Sequence, residues 1–409
     1  MTRHGTTRED VESPLPLADI RVIEMGQLLA GPFCAQLLAD FGAEVIKLEE
    51  PGRGDPMRQW GREKPHGQSL WWPVVARNKK SVTCNLRTPE GQGLVRQLVA
   101  QADVVVENFR PGTLERWNLG YDVLSAINPR LVLIRVTGYG QDGPYADRAG
   151  FGAIGEAMGG LRYVTGDPAT PPSRTGISIG DSLAGTYAAL GGLVALHARE
   201  GTGRGQVVDS AIYEAVLAMM ESLIPEYTVA GYIRERTGAV LPNVVPSNVY
   251  ATADDQLMLI AANQDGVFRR LTVAMGREDL AEDPRFATHS ARGTHHEEID
   301  GLISAWTAGL TLDELSETLH GNGVPAGLIY RVPEMLEDPH FKARNDIIEL
   351  PHREFGTIAM HNVAPRLSLT PGSVRWVGPE LGEHNMEIYG GLLGLDEAEL
   401  AARRVAGVI

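Results

Sequence analysis

The first 145 residues alternate between short apolar runs and helical segments, and this alternation constrains the fold more than any other feature. Residues 20–25 and 43–48 are predicted as strands, and Pro32 and Gly42 bracket a short helix between them. Strand, helix and strand in this order form a βαβ unit, whose crossover makes the two strands parallel. Further strands are predicted at 81–85, 104–106 and 131–136. We therefore predict an α/β chain with four or five parallel strands before residue 145.

The loop after the first predicted strand lacks the glycine pattern of dinucleotide-binding folds. Residues 26–31 read Gly-Gln-Leu-Leu-Ala-Gly, which is not G-x-G-x-x-G. The later strands end in polar or glycine-rich loops at 107–112 and 137–144, and open α/β sheets bind ligands at such carboxyl ends. The sequence predicts a Rossmann-like sheet whose ligand is not a nicotinamide dinucleotide.

The strand–helix alternation stops near residue 226, which suggests a second domain. A hairpin and three helices follow, and then a further strand near residue 327. Because 409 residues exceed one ordinary core, we predict a large domain from 15–225 and 331–409 and a smaller α+β domain from 226–330. The polar residues 1–14 are predicted to be a mobile tail.

Charge and cysteine content exclude several classes of function. A net charge of −15 argues against nucleic acid and against an anionic membrane surface as partners. No run reaches the ~18 uninterrupted apolar residues of a membrane span, and the N-terminus has no signal-peptide pattern. Two cysteines, Cys34 and Cys84, indicate a reducing compartment. We therefore predict a cytoplasmic protein without a membrane segment.

A basic stretch between residues 53 and 87 departs from the acidic composition. It holds eight basic residues against Asp55 and Glu63, and those eight are Arg53, Arg58, Arg62, Lys64, Arg77, Lys79, Lys80 and Arg87. A solvated basic loop and a site for phosphate groups both explain this excess. The charge pattern alone leaves the two open.

A single carboxylate, Asp181, stands at the start of a long run of small and apolar residues. The stretch 175–185 reads Thr-Gly-Ile-Ser-Ile-Gly-Asp-Ser-Leu-Ala-Gly, which is typical of a loop that enters a buried helix. Taken alone, this pattern favours Asp181 as an N-cap. A carboxylate here is also close to helix N–H groups, which favour its charged form.

Other catalytic chemistry has little support in the sequence. The adjacent pair His295 and His296 would point apart on a helix, and no H-E-x-x-H, C-x-x-C, Walker or G-x-S-x-G pattern occurs. Cys34 and Cys84 lie in predicted core elements and are interpreted as packing residues. No metal site is predicted.

Ordered motifs along nearly the whole chain, from about residue 15 to 409, make it resemble the class III CoA-transferases of the formyl-CoA and carnitine type. The motifs lie at 29–32, 42–47, 54–58, 77–81, 107–112, 138–140, 180–181, 202–206 and 381–384. Each is weak alone, but their order and spacing are specific. The pattern resembles most the members that move CoA from succinyl-CoA to dicarboxylic acids such as malate, citramalate or itaconate.

The resemblance implies a covalent role for Asp181. In the family the matching aspartate attacks the donor thioester, forms a mixed anhydride and then carries CoA as an aspartyl thioester. Gly180 is expected to let the thioester approach. The family contacts to CoA, here a co-substrate, map onto Leu29, Ala30, Cys84, Arg87, Asn108, Phe109, Arg110 and Arg116. The phosphates of CoA would then suit the basic stretch, with Arg58, Lys79 and Lys80 as supporting charges.

The chain departs from other members where substrate choice is expected. Many members carry an acid at the position of Gly152 and Gln at that of Glu156. The related 2-methylacyl-CoA racemases use a His-Asp pair where this chain has Phe151 and Gly152, so the racemase alternative is disfavoured. The glycine-rich lid of formyl-CoA transferases is missing at 245–249, which argues against formate or oxalate.

The resemblance also implies partners. Family members form interlocked dimers, so we expect acyl-CoA and carboxylic acid substrates and an interlocked homodimer, with a hetero-oligomer of paralogues as the alternative. A catalytically silent CoA-binding subunit is a further hypothesis, against which Asp181 argues. A second substrate carboxylate would need a cation, for which Arg58, Arg162 and Arg174 are candidates.

Overall fold

A computed structural model describes residues 15–409, and the predicted mobile tail at 1–14 lies outside the described residues. The strands are β1 (Arg21–Glu24), β2 (Glu44–Glu49), β3 (Lys79–Thr83), β4 (Val104–Glu107), β5 (Val132–Thr137), β6 (Val207–Ala211), β7 (Ser247–Ala251), β8 (Leu257–Ala261), β9 (Ala326–Leu328), β10 (Ile347–His352) and β11 (Gly356–His361). The first six strands hold the predicted α/β pattern, and the other five pair only with one another.

The helices of the amino-terminal half are α1 (Ala30–Asp40), α2 (Trp72–Val75), α3 (Pro89–Val99), α4 (Thr113–Arg116), α5 (Tyr121–Ile127), α6 (Gly152–Met158), α7 (Leu161–Val164) and α8 (Ile179–Thr202). Those that follow are α9 (Ile212–Leu217), α10 (Leu223–Ala230), α11 (Asp265–Ala274), α12 (His289–Thr294), α13 (His296–Thr307), α14 (Leu312–Gly321), α15 (Val332–Glu337), α16 (Pro339–Arg344), α17 (Gly391–Leu393) and α18 (Glu397–Val405). A π-helical turn, Met386–Gly390, precedes α17.

The main sheet has six parallel strands in the order β3-β2-β1-β4-β5-β6. This order reverses between β1 and β4, where Val22 pairs with Val45 on one side and with Val104 on the other. Such a reversal is the switch point of a doubly wound sheet, and ligands bind outside its carboxyl edge. The predicted parallel α/β sheet is confirmed, with five strands before residue 145.

Alternate residues of the central strands feed two apolar cores, because side chains of a strand point to opposite faces. Val22, Val104 and Val132 pack with α1 and α8 on one face. On the other face the strands pack with α3, α5 and the C-terminal segment, and this core includes Ile23, Val105, Leu133, Tyr389 and Leu400. Both faces of the sheet are therefore covered, as a parallel sheet requires.

α8 is the longest helix, with 24 residues, and lies on the sheet through small residues. Cβ atoms added to Gly185 and Gly192 would lie 2.7 Å from the Ala30 carbonyl oxygen and 2.6 Å from the Ile134 side chain. Glycine is therefore needed where α8 meets α1 and β5. Of the helices described, α8 alone is long and apolar enough to span a membrane, and 44% of its most apolar window is buried.

The described residues divide into two compact units: the first contains 15–161, 176–221 and 343–409, and the second contains 162–175 and 222–342. The second unit contains an antiparallel three-stranded sheet in the order β7-β8-β9, as the predicted hairpin requires. Its core includes Tyr250, Phe268, Phe286, Ile303 and Leu315, from the sheet and its surrounding helices. The predicted domain boundaries stay a prediction.

The C-terminal segment completes the outer edge of the main sheet. Asn385 accepts a hydrogen bond from the Thr83 backbone N–H at 2.8 Å, and Tyr389 donates its hydroxyl to the Thr83 carbonyl oxygen at 2.9 Å. His384 donates its backbone N–H to the Ser81 carbonyl oxygen at 2.9 Å. The late motif at 381–384 therefore lies beside β3, far in sequence from the strand it covers.

Candidate active site

Helix α8 begins beside the carboxylate singled out in the sequence, but Asp181 is not its N-cap. Ser178 holds the N-cap position, and Asp181 lies inside the first turn. The N–H of Gly180 donates to Oε1 of Glu156 at 3.3 Å, across 24 residues of sequence. The N-cap interpretation of Asp181 is therefore wrong, since α8 already begins at Ile179, two residues before Asp181.

Gly152, at the first turn of α6, lies directly against the Asp181 carboxylate. A Cβ atom at Gly152 would be 2.2 Å from Oδ2 of Asp181 and 2.7 Å from its Cγ. A Cβ atom at Gly180 would be 3.0 Å from both the Gly152 carbonyl oxygen and Cγ of Glu156. Gly180 is buried in this packing, so it serves the contact between α6 and α8. The expectation that it lets a thioester approach stays a prediction.

The partly exposed Asp181 opens on a cavity of about 270 Å³ at the carboxyl edge of the sheet. The cavity lies at the switch point, because its walls include the ends of β1, β4 and β5. It is lined by Gln27, Leu28, Leu29, Ala30, Trp60, Asn108, Phe109, Val136, Thr137, Gly138, Gly150, Phe151, Asp181 and Ile212. The structure thus brings Asp181 together with four of the predicted CoA positions: Leu29, Ala30, Asn108 and Phe109.

Asn108 joins the loops on the two sides of the switch point. Its Oδ1 accepts from the Gln27 backbone N–H, and its Nδ2 donates to the Gln27 carbonyl oxygen, both at 2.8 Å. Adding a Cβ atom to Gly31 would bring it within 3.3 Å of the Asn108 side chain. An amide that donates and accepts at once is needed to bind both backbone groups.

Leu28, which follows Gln27 in the loop after β1, has an unusual backbone conformation. Leu28 has φ of 63°, in the left-handed region that disfavours residues with a Cβ. Its N–H donates to Oδ1 of Asp55 at 3.0 Å, and Oδ2 of Asp55 lies 2.7 Å from Nζ of Lys47. A buried ion pair therefore holds the loop that lines the cavity.

A second cavity of about 160 Å³ shares Gln27 and Phe109 with the first. It is lined by Met25, Gln27, Leu48, Glu49, Glu50, Cys84, Asn85, Leu86, Arg87, Phe109 and Trp117. Two predicted CoA positions, Cys84 and Arg87, are here. Burial raises the pKa of the Cys84 thiol to about 12, so it stays neutral. The exposed Arg87 pairs with Glu50 at 2.7 Å.

The two remaining predicted CoA positions, Arg110 and Arg116, line neither cavity. Both are exposed, next to and within the short helix α4. The Arg116 guanidinium donates to the Thr113 hydroxyl at 2.9 Å. Their role in binding phosphate groups stays a prediction.

Most of the basic stretch is engaged with carboxylates from other strands and helices. Arg58 makes two bonds to Glu49, at 2.8 and 2.9 Å. Lys79 is buried and lies 2.7 Å from Glu24. Similar pairs join Arg77 with Asp40 at 2.6 Å and Lys80 with both Glu44 and Glu387 at 2.7 Å. The proposed phosphate role of Lys79 is wrong because its ammonium group is buried.

The buried carboxylate of Glu107, at the end of β4, binds the loop that contains Phe109. Oε2 of Glu107 accepts from the Phe109 backbone N–H, and Oε1 accepts from Nε of Arg135, both at 2.7 Å. Burial raises the pKa of Glu107 to about 7, although Arg135 opposes the shift. Glu107 therefore titrates near neutral pH.

The candidates for binding a second substrate carboxylate differ in their surroundings. Arg58 is held by Glu49, stacks 3.7 Å from the Trp72 ring and donates to the Pro379 carbonyl oxygen. Arg162 and Arg174 belong to the second unit. The second-carboxylate role stays a prediction for all three.

Sequence reasoning missed Gln27 and Asp55 and treated Gly152 and Glu156 only as departures from a pattern. The sequence offers one signal for Gln27, a polar residue directly after a buried strand. For Asp55 it offers only the family motif at 54–58, because its partners Leu28 and Lys47 lie on other segments. Within residues 15–409, no group of three or more His, Cys, Asp or Glu side chains is arranged to hold a metal ion.

The fold and the cavity define an α/β protein with its site at the switch point of a Rossmann-like sheet. The sequence model of CoA-transferase family III matches residues 17–385, so the chain belongs to that family and is a class III CoA-transferase. The predicted family is confirmed.

Curated relatives cover almost the whole chain. Succinyl-CoA–D-citramalate CoA-transferase of Chloroflexus aurantiacus is 62% identical over 97% of this chain and 98% of that protein. The beta subunit of succinyl-CoA–L-malate CoA-transferase from the same organism is 42% identical over 99% of this chain and 100% of that protein. A crystal structure of a CAIB/BAIF family protein from Brucella suis superposes with a TM-score of 0.82 at 36% identity, covering 93% of this chain and all of that one.

Proposed function

We propose that this protein transfers CoA from succinyl-CoA to a dicarboxylic acid such as citramalate, malate or itaconate, with Asp181 as the covalent carrier. The observation that carries the proposal is the Asp181 carboxylate, partly exposed in a cavity that Leu29, Ala30, Asn108 and Phe109 also line. The succinyl donor and dicarboxylate acceptor are supported by the names of two relatives, at 62% and 42% identity.

The chemistry proceeds through exchanges at three carbonyl carbons, those of the succinyl group, Asp181 and the acceptor. An Asp181 carboxylate oxygen attacks the thioester carbon of succinyl-CoA, the C–S bond breaks, and a mixed anhydride and CoA thiolate form. The thiolate attacks the Asp181 carbonyl carbon of the anhydride, which gives an aspartyl-CoA thioester and free succinate. The acceptor carboxylate attacks this thioester, and the released thiolate then attacks the acceptor carbonyl. The acceptor leaves as its CoA thioester, Asp181 is restored and no net proton is consumed.

The two cavities suggest where parts of the CoA thioester would bind. The Asp181 cavity would hold the reacting carbonyl, while the neighbouring cavity of Cys84 and Arg87 would hold the nucleotide end. The neutral Cys84 thiol would then act as a packing surface and not as a nucleophile. Arg87, Arg110 and Arg116 are the exposed cations proposed for the phosphates.

A direct test combines substitution with trapping of the intermediate. Incubation with succinyl-CoA and hydroxylamine should mark Asp181 in the wild-type protein, as found by peptide mass spectrometry. Asp181→Ala and Asp181→Asn should lose both the mark and the transfer activity. Full transfer activity of Asp181→Ala would contradict the proposal.

The acceptor is identified by offering a panel of acids with succinyl-CoA and measuring new CoA thioesters by mass spectrometry. Citramalate, malate and itaconate should react faster than glutarate, formate or oxalate. Deuterium exchange at the α-carbon of a 2-methylacyl-CoA without any acceptor would instead favour a racemase. Tight CoA binding without turnover by the isolated chain would favour a silent subunit.

An apolar surface of the first unit supports association with another chain. Leu190, Leu193 and Val194 of α8 are 55%, 40% and 58% exposed, and Ile154 and Met158 of α6 are also exposed. Grouped exposed apolar side chains commonly mark a protein interface. We propose an interlocked homodimer of cytoplasmic location, with pairing to a paralogue as the alternative, since one relative is named as a subunit. Light scattering of the purified chain should give twice the chain mass.

A further inference from the structure

We infer that one face of α6, formed by Gly152 and Glu156, positions the Asp181 carboxylate for attack. The two residues are four positions apart and therefore lie on the same side of the helix. One contacts the carboxylate itself, and the other binds the backbone immediately before it. The inference rests on the proposed covalent role of Asp181, and it assigns positioning roles to Gly152 and Glu156.

The contact at Gly152 limits where the carboxylate can lie. A Cβ atom would come within 2.2 Å of Oδ2 and 3.1 Å of Oδ1, so any residue other than glycine pushes both oxygens away. The bare backbone of α6 thus closes one side of Asp181, while the cavity leaves another side open. A carboxylate that is confined on one side in this way would keep its attacking oxygen directed into the cavity, where the thioester would bind.

Glu156 holds the segment that carries Asp181. Its side chain is fully buried, and Oε1 accepts the Gly180 N–H at 3.3 Å, which is one of the donors that a helix start leaves without an intrahelical partner. A Cβ atom on Gly180 would lie 3.0 Å from Cγ of Glu156, so the two backbones fit with no space for a side chain. A carboxylate is costly to bury, which sets this residue apart from ordinary packing.

The same face of α6 also packs against α9, because Gly155 and Gly159 lie three and seven positions after Gly152. A Cβ atom at Gly155 would lie 2.4 Å from the Ile212 side chain of α9, and one at Gly159 would lie 2.6 Å from that of Val216. Contacts with α9 therefore also fix how closely this face of α6 packs. A side chain introduced at position 152 cannot be relieved by moving the helix away without disturbing these contacts.

The experiment compares Gly152→Ala, Glu156→Gln and Glu156→Ala, with Ala157→Ser as the control on the exposed side of the same helix. Steady-state transfer gives kcat and KM, calorimetry gives CoA binding, and thermal unfolding reports the fold. We expect Gly152→Ala to lower kcat on the order of 100-fold, as a displacement near 1 Å does, with CoA binding within about 3-fold of wild type. Glu156→Ala should lower kcat about 10-fold or more, since the Gly180 donor loses its acceptor.

Rescue by the conservative variant separates positioning from simple stability. Gln keeps an acceptor oxygen at the same place, so Glu156→Gln should recover most of the kcat lost in Glu156→Ala, and Ala157→Ser should match wild type. Wild-type kcat in Gly152→Ala or in Glu156→Ala overturns the inference. Parallel loss of kcat, CoA binding and melting temperature in Glu156→Ala, without recovery in Glu156→Gln, overturns it too.

Failure of this inference is distinguishable from failure of the proposed function. If Asp181→Ala keeps transfer activity, the covalent role falls and the positioning role with it. If Asp181→Ala is inactive while the α6 variants keep wild-type kcat, only the positioning role falls. Should Gly152→Ala fail to fold, the Glu156 pair decides alone.

Discussion

Two groups of carboxylates in the first unit differ in surroundings and in what they do. At the end of the sheet near β2 and β3, Glu24, Glu49 and Asp55 are buried and lie within 2.8 Å of cationic groups. At the start of α8, Asp181 is partly exposed in a cavity, against the bare backbone of Gly152. The first arrangement uses charge to hold strands and loops together. The second leaves a carboxylate accessible to a ligand, so accessibility and not burial distinguishes the candidate nucleophile.

The largest effect should come from Asp181. Asp181→Asn keeps the size of the side chain and removes its charge, so the melting temperature should stay near that of wild type. Transfer activity should fall on the order of 10⁴-fold or more, as for removal of other covalent nucleophiles. Measured kcat and a thermal melt check this. A large loss of stability with residual activity would show that Asp181 is a structural carboxylate, and would contradict the distinction between the two groups.

Lys47→Met, in the buried group of carboxylates, should lower the stability of the fold, which Asp181→Asn should leave nearly unchanged. Burial lowers the pKa of Lys47, but Asp55, Glu24 and Glu49 outweigh burial and raise it, so the cation is firmly charged. Met leaves buried carboxylates without this partner, which should cost about 3–5 kcal/mol of the free energy of unfolding. Urea denaturation measures it. Lys80→Met is the matched control, since Lys80 is paired at the surface and should contribute about 1 kcal/mol or less.

Glu107 shares a property with each group, because it is buried and also binds the loop that lines the cavity. Its titration should change the free energy of unfolding. Burial raises its folded pKa from 4.5 to about 7. Between these values the folded state binds more protons than the unfolded state, so stability should fall as pH rises from about 4.5 to 7, by at most about 3 kcal/mol. Urea midpoints across this range test it. Glu107→Gln should remove this part of the pH dependence; an unchanged profile in that variant would contradict the assignment.

The smallest effect should come from Asn108→Ala. Both of its bonds to Gln27 are lost, which loosens the loop of the cavity without removing a charge. We expect KM for succinyl-CoA to rise about 10-fold, with kcat changed less, because a hydrogen bond of this kind contributes about 1 kcal/mol. Asn108→Asp keeps the acceptor but places a second oxygen against the Gln27 carbonyl oxygen, so its KM should rise at least as much as that of Asn108→Ala. A larger change in kcat than in KM would contradict this role and would indicate that Asn108 acts in the chemical step.

The parallel sheet was predictable because each strand and helix is encoded locally. Thr88 and Pro89 mark the start of α3 by their own chemistry, since the Thr88 side chain accepts from the Gly91 N–H and Pro89 is the first helical residue. Asp181 was singled out for the same reason, as a carboxylate at a local junction, although its covalent role was implied only by the family resemblance. These features need no knowledge of distant residues.

What failed depended on residues far apart in sequence. The basic stretch looked unopposed because only Asp55 and Glu63 lie within it, whereas Glu24, Asp40, Glu44 and Glu49 come from earlier elements. The Glu156 contact with the Gly180 N–H was missed likewise, because it joins two helices 24 residues apart. The N-cap interpretation failed because α8 already begins at Ile179. Sequence patterns report spacing along the chain, and these contacts depend on spacing across the sheet.

The glycines of α6 have a consequence for the order in which the protein assembles. Two of the seven residues of α6, Gly152 and Gly155, are packed glycines, and each weakens an isolated helix by about 1 kcal/mol relative to alanine. A seven-residue helix of this composition has little stability in water by itself. It should acquire its shape only when α8 and α9 are already in place. During refolding, amide protection should therefore reach α6 after the central strands, and the Asp181 neighbourhood would be among the last parts of the first unit to mature.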